Sequence, residues 1–331
     1  MFKILFKKKL KYLVIGAGST GATFACFLHS AGKDVTLLSK YDDIVNNAKE
    51  KGGIKLISSV KGKKRYNIKI KTEKTYKEKA DVIILCIRTP DILSAIPFIK
   101  KVSHKKTIVT SIANGFGIAY ALKKALPKLL ILDSNFVGKC RWYNRKDVEY
   151  LQQREYCEFN FADKYNLIDK KTLKQIEIDF TDAGMNTTMM SEKQFTEVAF
   201  ERLITRSPFE ATCIYYDICA HDFIGEKLDT FKILCNELLI LAKAMNINVR
   251  ENFLEEYYQN FELYKERDDA NVYSSILNDM KIEQCSEIDF LFFIVVELAK
   301  EYNVQLPMYF KIADKFKEYN SLGSFAEKKN H

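Results

Sequence analysis

The stretch KYLVIGAGSTGATFACFLHSAGKDVTLL, residues 11–38, constrains the fold of this chain more than any other segment. An apolar run leads into Gly16-Ala17-Gly18-Ser19-Thr20-Gly21, followed by a helical pattern and a second apolar run. This order predicts a strand, a tight turn, a helix and a parallel strand, the opening of a dinucleotide-binding domain. Gly16 permits the turn, Gly18 lets backbone approach a pyrophosphate, and Gly21 allows close helix packing. The amides of Ser19 and Thr20, which open the helix, would face the phosphates. The alternative is a strand-to-helix turn that holds no ligand.

The residues after the second apolar run predict which dinucleotide is bound. NAD sites usually carry Asp or Glu there to hold the ribose 2′-hydroxyl, whereas this chain reads Leu38-Ser39-Lys40. Lys40 could pair with a 2′-phosphate and Ser39 could hydrogen-bond it, so we expect NADP(H) rather than NAD(H). The alternative is that Lys40 is one more solvated lysine.

An alternation of strands and helices continues through the N-terminal half. The run ADVIILCI, residues 80–87, is typical of a central parallel strand. Further strands are expected at 107–112 and 129–132. Arg88 and Asn114 follow two of these strands, where open α/β sheets bind ligands. Their alternatives are a surface charge and an ordinary Asn-Gly turn. The lysine-rich stretch NIKIKT predicts a sheet edge.

The C-terminal half predicts helices. From residue 190 onward long segments carry apolar residues at helical spacing, as in FKILCNELLILAKAMNI. Residues 185–188 are expected to connect two domains. We therefore predict an α/β protein with a Rossmann-type, doubly wound parallel sheet at 1–189 and an all-helical domain at 190–331. The apolar helices could support a homodimer.

Composition narrows the function classes. The 331-residue chain has a formal net charge of +9, but no nucleic-acid motif accompanies its lysines, so we expect no nucleic-acid partner. No apolar run approaches the roughly 20 residues of a membrane span. Eight scattered cysteines without a C-x-x-C pair, and four histidines that do not cluster, suggest no metal site and a reducing cytoplasm.

The segment NVYSSILNDMKIEQCSEIDFLFF, residues 271–293, has a more specific pattern of polar residues than the other helical stretches. Ser275 and Asp279 are four apart and would share a helix face. Ser286 is a good N-cap, which would place Glu287 in the first turn of the following helix. A helix break, a cap and an acid near a helix N-terminus would explain the same residues without any chemistry.

Taken together, these pieces resemble the ketopantoate reductase (2-dehydropantoate 2-reductase) family. The matching pieces are GAGSTG, ADVIILCIR, ANGFG, DAGMNT and SSILNDMK…SEIDFL, which span nearly the whole chain. The resemblance implies a Rossmann domain, a helical domain and an active site in the cleft between them. It also implies NADPH as hydride donor and a small 2-keto acid as acceptor.

The resemblance also assigns roles to particular residues. Asn114 matches the turn that meets nicotinamide and substrate, Glu287 matches the acid at the cofactor end, and Ser275 matches the serine that holds substrate. Lys40 falls where the family often has an arginine for the 2′-phosphate. Arg88 falls where many members have a lysine, and is expected to contact the cofactor.

The departures from the family lie where its chemistry is expected. In FERLITR, Arg202 replaces the catalytic lysine and Arg206 replaces an asparagine. Arginine keeps its proton and is a poor general acid, but it is an excellent carboxylate clamp. Val272 stands where the family has another asparagine. Asn271, one residue earlier, is a candidate substrate-binding residue that would face elsewhere on a helix.

Two explanations of the arginine pair remain open. Arg202 and Arg206 could line a cleft, with an anionic ligand offsetting their mutual repulsion, or they could be surface residues with Glu210 as partner of Arg206. Pro208 is expected to break the helix nearby. The leading functional hypothesis is an NADPH-dependent reductase of a small 2-keto acid. The other is a catalytically silent NADP-binding sensor or interaction protein.

Overall fold

The computed structural model describes residues 9–266, 271, 273–281 and 287–316. These residues form two compact units. The first consists of the described residues within Met1–Ile87, Asp91–Ala113 and Ala119–Glu192, and the second of those within Arg88–Pro90, Asn114–Ile118 and Lys193–His331. Two short segments of the N-terminal half, which follow strands of the first unit, thus belong to the second.

The described residues include strands only in the first unit. In chain order the strands are β1 (Lys11–Ile15), β2 (Asp34–Leu38), β3 (Ile54–Ser58), β4 (Gly62–Tyr66), β5 (Lys69–Lys71), β6 (Val82–Leu85), β7 (Ile108–Ser111), β8 (Leu130–Ile131), β9 (Asp133–Val137), β10 (Cys140–Asn144), β11 (Glu149–Gln152), β12 (Glu158–Ala162) and β13 (Asn186–Met189).

A six-stranded parallel sheet with the order β5-β2-β1-β6-β7-β8 forms the centre of the first unit. All four residues of β6 and of β7 are buried, which explains why their sequences are continuous apolar or small-residue runs. The short strand β5 lies at one edge and exposes Lys69, as the alternation in NIKIKT predicted. The predicted parallel α/β fold is confirmed.

Two smaller sheets complete the unit and were not predicted. One has the order β10-β11-β3-β4 and the other β13-β12-β9, and both mix parallel and antiparallel pairs. The prediction that residues 185–188 only connect two domains was wrong. The chain turns at Gly184, which has positive φ, and Asn186–Met189 then pair in parallel with β12 as a strand.

Helices flank the sheet and fill the second unit. They are α1 (Ser19–Ser30), α2 (Asp42–Glu50), α3 (Thr89–Val102), α4 (Ile118–Ala125), α5 (Lys170–Asp182), α6 (Glu192–Tyr216), α7 (Glu226–Ala244), α8 (Phe253–Lys265), α9 (Ser275–Lys281), α10 (Ile294–Glu301) and α11 (Pro307–Phe316). A 3₁₀-helix spans Ala220–Asp222, and a π-helix spans Asp289–Phe293 directly before α10.

The longest of these, α6, corrects one expectation. Pro208 does not break the helix, since α6 continues through it to Tyr216. Proline removes one amide hydrogen bond from a helix interior, but Pro208 and its neighbour Ser207 are both buried and packing holds the helix together. Arg202, Arg206 and Glu210 consequently lie on one continuous helix, at successive four-residue steps.

A buried polar contact joins three elements of the first unit. The Tyr12 hydroxyl on β1 donates to Asp179 Oδ2 on α5 at 2.7 Å, and Lys33 Nζ, just after α1, lies 2.8 Å from Asp179 Oδ1. Around it, Phe159 stacks on Phe180 with ring centroids 4.3 Å apart. This contact ties β1 to α5 and to the segment that follows α1.

Replacing Tyr12 by phenylalanine should therefore destabilise the protein. The change removes a donor to a buried carboxylate while keeping the ring, so the free energy of unfolding should fall by about 1–2 kcal/mol in urea titration. Tyr120→Phe is the matched control, because Tyr120 is 66% exposed and should tolerate the change. An equal effect of the two substitutions would contradict the assigned role of the Tyr12 hydroxyl.

Candidate active site

The glycine-rich turn after β1 has the geometry of a nucleotide cradle. Gly16 adopts φ +110°, and a Cβ there would lie 2.4 Å from the Cys86 carbonyl oxygen. A Cβ on Gly21 would lie 1.9 Å from the Gly16 carbonyl oxygen. Packing inside the protein thus requires both glycines. At Gly18, by contrast, a Cβ would meet no atom of the described residues within 4 Å, so these residues leave the space above its backbone open.

The N-terminus of α1 begins at this open space. The first turn of α1 carries no acidic residue, and its N-cap, Gly18, provides no side-chain hydrogen bond. The first amides of a helix lack partners within the helix and carry partial positive charge. Ser19, Thr20 and Gly21 therefore offer backbone donors suited to a pyrophosphate. These features fit a dinucleotide.

The turn after β2 presents Lys40 to solvent. Ser39 is fully buried, and its hydroxyl donates to the Tyr41 carbonyl at 2.9 Å while accepting the Tyr41 amide at 3.0 Å. The Ser39 side chain thus holds the turn itself, and Lys40 is the exposed cation beside it. No carboxylate occupies the end of β2, which Leu38 closes.

The Asn114 turn belongs to the second unit, where it packs on the π-helix. Gly115 adopts φ +134°, and a Cβ there would lie 2.4 Å from the Phe290 Cβ. The Phe116 amide donates to the Phe290 carbonyl at 2.8 Å. π-helical turns often occur at functional sites. Here the turn supplies a carbonyl that anchors the segment carrying Asn114.

The Asn114 carboxamide joins a cation to an acid. Arg202 Nη2 donates to Asn114 Oδ1 at 2.9 Å, and Asn114 Nδ2 donates to Glu287 Oε2 at 3.3 Å. All three residues are partly buried. The structure thus brings together the three residues that the sequence predicted as catalytic. Arg202 is not a solvated surface arginine, because its guanidinium is directed at Asn114.

Two further ion pairs lie in the same unit. Arg206 Nη2 is 3.7 Å from Glu210 Oε1, and the Glu210 side chain is only 4% exposed. Arg88 Nη1 donates to Asp279 Oδ2 at 3.0 Å. Glu210 is thus the partner of Arg206, as the second of the two explanations expected, but Glu210 is a buried residue rather than a surface one. The three arginines Arg88, Arg202 and Arg206 each contact a polar group of this unit.

Burial shifts the acids of this group toward their neutral forms. Burial raises the pKa of the Glu287 carboxyl, while the Asn114 amide and the Arg206 charge act to lower it. Burial likewise raises the pKa of Glu210, opposed first by the Arg206 charge. Asp279 acts on both carboxyls in the raising direction. Arg206 is thus electrostatically coupled to both Glu210 and Glu287.

The remaining predicted residues are placed less completely. Ser275 begins α9, but its side chain, like Val272 and Ser286, lies outside the described residues. Asn271 is exposed. The sequence did not predict that Asp279 pairs with Arg88 or that Phe290 contacts Gly115. The acid four residues after Ser275 could have indicated the contact between Asp279 and Arg88. The Asn-Gly dipeptide indicated a turn at Gly115 but not its contact with Phe290.

Two other kinds of site are absent from the part of the chain that the structure describes. Among the described residues, no group of three or more His, Cys, Asp or Glu side chains is placed to hold a metal ion. Within the same ranges, no helix is both long enough and apolar enough to cross a bilayer.

Comparison with protein families matches both halves of the chain. Residues 12–155 match the family model "Ketopantoate reductase PanE/ApbA", and residues 194–320 match the model of its C-terminal part. Among curated proteins, 2-dehydropantoate 2-reductase of Lactococcus lactis is 23% identical over 308 residues, which cover 90% of this chain and 94% of the relative.

Solved structures share the fold. A complex of D-mandelate dehydrogenase with NADH and anilino(oxo)acetate has a TM-score of 0.76 at 18% identity, covering 93% of this chain and 97% of that one. A dimeric ketopantoate reductase from Staphylococcus aureus has a TM-score of 0.75 at 17% identity, covering 94% and 98%. At these identities the likeness concerns the fold.

The contact between Gly115 and Phe290 leads to a prediction about the Asn114 turn. Gly115→Ala should force the turn off the π-helix and lower the free energy of unfolding by roughly 1–3 kcal/mol, as overpacking does. Gly117→Ala is a suitable control, since Gly117 also has positive φ but a Cβ there meets Ile294 only at 3.7 Å. Urea titration of both variants measures the difference, and equal losses would show that φ alone accounts for the effect.

Proposed function

Because the chain belongs to the ketopantoate reductase family, we propose that it is an NADPH-dependent reductase of a small 2-keto acid. The observation that carries this proposal is the hydrogen-bonded series from Arg202 through Asn114 to Glu287. It aligns a fixed cation, an amide and a partly buried acid, the residue types needed to hold a keto acid and the negative charge formed on its reduction.

Cofactor recognition is assigned to the first unit. Pyrophosphate oxygens would accept the amides at the start of α1 above Gly18, and Lys40 would pair with the 2′-phosphate. Ser39 holds the turn that presents Lys40 and remains a candidate contact. Arg88, Asn114 and Glu287 are assigned to the nicotinamide end. When bound, NADPH supplies the hydride. The exposed Lys40 and the missing carboxylate after β2 favour NADPH over NADH.

Arg202 stands where the resembled family has its catalytic lysine, and the change alters what the residue can do. Reduction of a ketone produces an alkoxide that must be stabilised and then protonated. The Arg202 guanidinium can stabilise an alkoxide or clamp a carboxylate through two parallel hydrogen bonds. It cannot give up a proton near neutral pH, because its pKa lies above about 12. The proton must come from water or another group.

The substrate assignment stays at the level of a small 2-keto acid. Arg206 and Ser275 are proposed to hold its carboxylate or its distal end, and Asn271 is retained as a candidate. The solved complex of D-mandelate dehydrogenase contains an oxoacetate, which is consistent with a family that accepts different 2-keto acids. Ketopantoate is one candidate among them.

Two wider assignments accompany the proposal. We place the protein in a reducing cytoplasm, because the seven described cysteines are all free thiols. We also propose a homodimer through the helical unit, given the dimeric reductase of the same fold from Staphylococcus aureus. Analytical ultracentrifugation across a concentration range measures whether the protein is a dimer.

The alternative is a catalytically silent dinucleotide-binding sensor or interaction protein of the same fold. The replacement of lysine by Arg202 favours it. Against it stands the retention of Asn114 and Glu287 in a single hydrogen-bonded series, which dinucleotide binding by the first unit does not require. Oxidation of NADPH with a panel of 2-keto acids, including ketopantoate and pyruvate, decides between the two. Tight NADPH binding without any turnover would favour the sensor.

Cofactor preference gives a prediction for Lys40. The unmutated protein should bind NADPH at least tenfold more tightly than NADH, equivalent to about 1.4 kcal/mol. Lys40→Asp should reduce or reverse that preference, because a carboxylate repels a 2′-phosphate and accepts a 2′-hydroxyl. Fluorescence titration with both cofactors measures the ratio. Lys49→Asp changes another exposed lysine, on α2, and should leave the ratio of the two affinities unchanged.

Arg202 gives a second prediction. Arg202→Lys should lower kcat/KM for the best 2-keto acid roughly tenfold, because a point charge cannot reproduce a planar two-point contact. Arg202→Ala should lower it by roughly 100-fold or more, with NADPH affinity nearly intact. Arg250→Lys is the control, since Arg250 is 61% exposed and pairs with Glu201. A higher turnover in Arg202→Lys than in the unmutated protein would show that a lysine acts better as proton donor at this position. It would refute the proposal that Arg202 clamps the substrate carboxylate.

A further inference from the structure

One face of α7 packs inside the second unit and the other faces solvent. The buried face lies against α10 and α11. The solvent face carries five exposed residues, which we call the α7 stripe: Asp229, Ile233, Asn236, Ile240 and Lys243. Its members are four and three residues apart in alternation, the spacing that forms a seam between two paired helices. Single exposed apolar residues are ordinary, but Ile233 and Ile240 are 43% and 54% exposed at two seam positions. The stripe therefore predicts a second helix.

A groove of about 390 Å³ opens where α7 ends. Asn246 adopts φ +54°, and the Ile247 amide donates to the Ala242 carbonyl at 2.9 Å, so the chain turns back over the last turn of the helix. Half-buried apolar side chains and two exposed lysines line the groove together: Leu239, Ile247, Val249, Lys193 and Lys243. The groove is therefore suited to an apolar side chain that is accompanied by acids.

The opposite end of α7 carries such a side chain. Ile224, just before the helix begins, is 68% exposed. Glu226 and Asp229 make the first turn of α7 acidic. The helix dipole by itself favours acids at this end and Lys243 at the other, but it does not account for the exposure of Ile224. The N-terminal end of α7 thus carries what the groove at its C-terminal end is suited to bind.

The two ends are placed symmetrically about Asn236. Asp229 and Lys243 lie seven residues before and after it. Ile224 lies twelve residues before it, and Asn248, which also lines the groove, lies twelve after it. A two-fold axis beside Asn236 pairs α7 with an antiparallel copy of itself, and each contact then occurs twice with the copies exchanged. The axis brings Ile224 of each copy to the groove of the other, and Asp229 of each copy to Lys243 of the other.

The charges of the stripe favour this antiparallel arrangement over a parallel one. In a parallel pair with the same centre, Asp229 would face Asp229 and Lys243 would face Lys243, so both ends of the stripe would repel. In the antiparallel pair both ends attract. Asn236 suits a position against its own copy, because a carboxamide can donate and accept at once.

We propose that the α7 stripe, Ile224 and the groove form an antiparallel two-fold contact whose partner is a second copy of this chain. Ile224 of each copy enters the groove of the other, and two pairs of Asp229 and Lys243 flank the isoleucines of the stripe. This inference rests on the proposed function, which includes a homodimer through the helical unit, and it names the surface of that dimer.

The size of this surface determines the strength of the contact. A standard stable interface uses roughly 20–30 residues a side, and the stripe, Ile224 and the groove provide fewer. A polar residue such as Asn236 at the seam of a helix pair fixes the register at a cost in stability. We therefore expect a dissociation constant on the order of micromolar, with monomer and dimer in exchange.

The first test replaces the isoleucines and measures association by sedimentation equilibrium. The unmutated protein should show a monomer–dimer equilibrium between about 1 and 500 µM. Ile224→Lys and Ile240→Lys should each raise the dissociation constant at least roughly tenfold, because each puts a charge into an apolar contact at two places. Leu263→Lys is the matched control, since Leu263 on α8 is 64% exposed and lies outside the stripe and the groove. Urea titration establishes that each variant is folded.

The second test exchanges the charges of the stripe. Asp229→Lys and Lys243→Asp should each raise the dissociation constant roughly tenfold, because attraction becomes repulsion at two places. The double variant restores opposite charges across the axis, and its dissociation constant should lie within roughly threefold of the unmutated value. Glu255→Lys is the control, since it makes the same change in net charge as Asp229→Lys at an exposed position on α8.

Three results would overturn this surface. They are an unchanged dissociation constant in either isoleucine variant, an equal increase in Leu263→Lys, and a double charge variant that associates as weakly as the single variants. In each case a dimer of the unmutated protein still supports the proposed homodimer, and only its surface is refuted. A protein that stays monomeric at the highest concentration refutes the homodimer and this inference together. Oxidation of NADPH with the panel of 2-keto acids, measured on the same samples, judges the reductase assignment independently.

Discussion

The arrangement of the candidate site depends on one carboxamide. Asn114 accepts from Arg202 and donates to Glu287, so a single neutral side chain satisfies a cation and an acid at once. A carboxylate there could not donate and an ammonium could not accept. The carboxamide is held in place by backbone packing, because Gly115 has no Cβ and can lie against Phe290 of the π-helix. The position of the Asn114 side chain that Arg202 contacts thus depends on a glycine far from Arg202 in sequence.

We propose that Arg202 stands in place of the family's lysine, and this exchange would change the chemistry available at that position. A lysine can combine positive charge with a transferable proton, because burial lowers its pKa readily. An arginine provides only the charge. The same helix carries a second arginine and a buried acid whose pKa burial raises. The like charges of Arg202 and Arg206, unfavourable on an isolated helix, are offset here by Asn114 and Glu210, and an anionic substrate would offset them further.

In the nucleotide cradle, some glycines are required by packing within the protein and another leaves room for a ligand. Gly16 and Gly21 are required by atoms of the chain, since a Cβ at either would collide with backbone carbonyl oxygens. At Gly18 the described residues leave open space, so no contact with them explains its lack of a side chain. A phosphate group approaching the backbone would explain it. Two glycines of this short motif are therefore required by contacts within the protein, and the third by the approach of a ligand.

The sequence alone determined the parallel sheet and the helical second half, because local apolar periodicity encodes them. Its short motifs carried the family resemblance, and that resemblance implied Asn114, Arg202 and Glu287 as catalytic candidates. It did not predict the two small sheets or the strand at Asn186–Met189, whose pairing joins segments distant in the chain. Nor did it predict that α6 continues through Pro208, since buried neighbours compensate for a lost hydrogen bond. Only tertiary structure decided that Glu210 is buried, with one oxygen that no described residue pairs, and that Arg88 contacts Asp279. Burial and pairing depend on what packs around a side chain, and helical spacing specifies the face of a helix but not its surroundings.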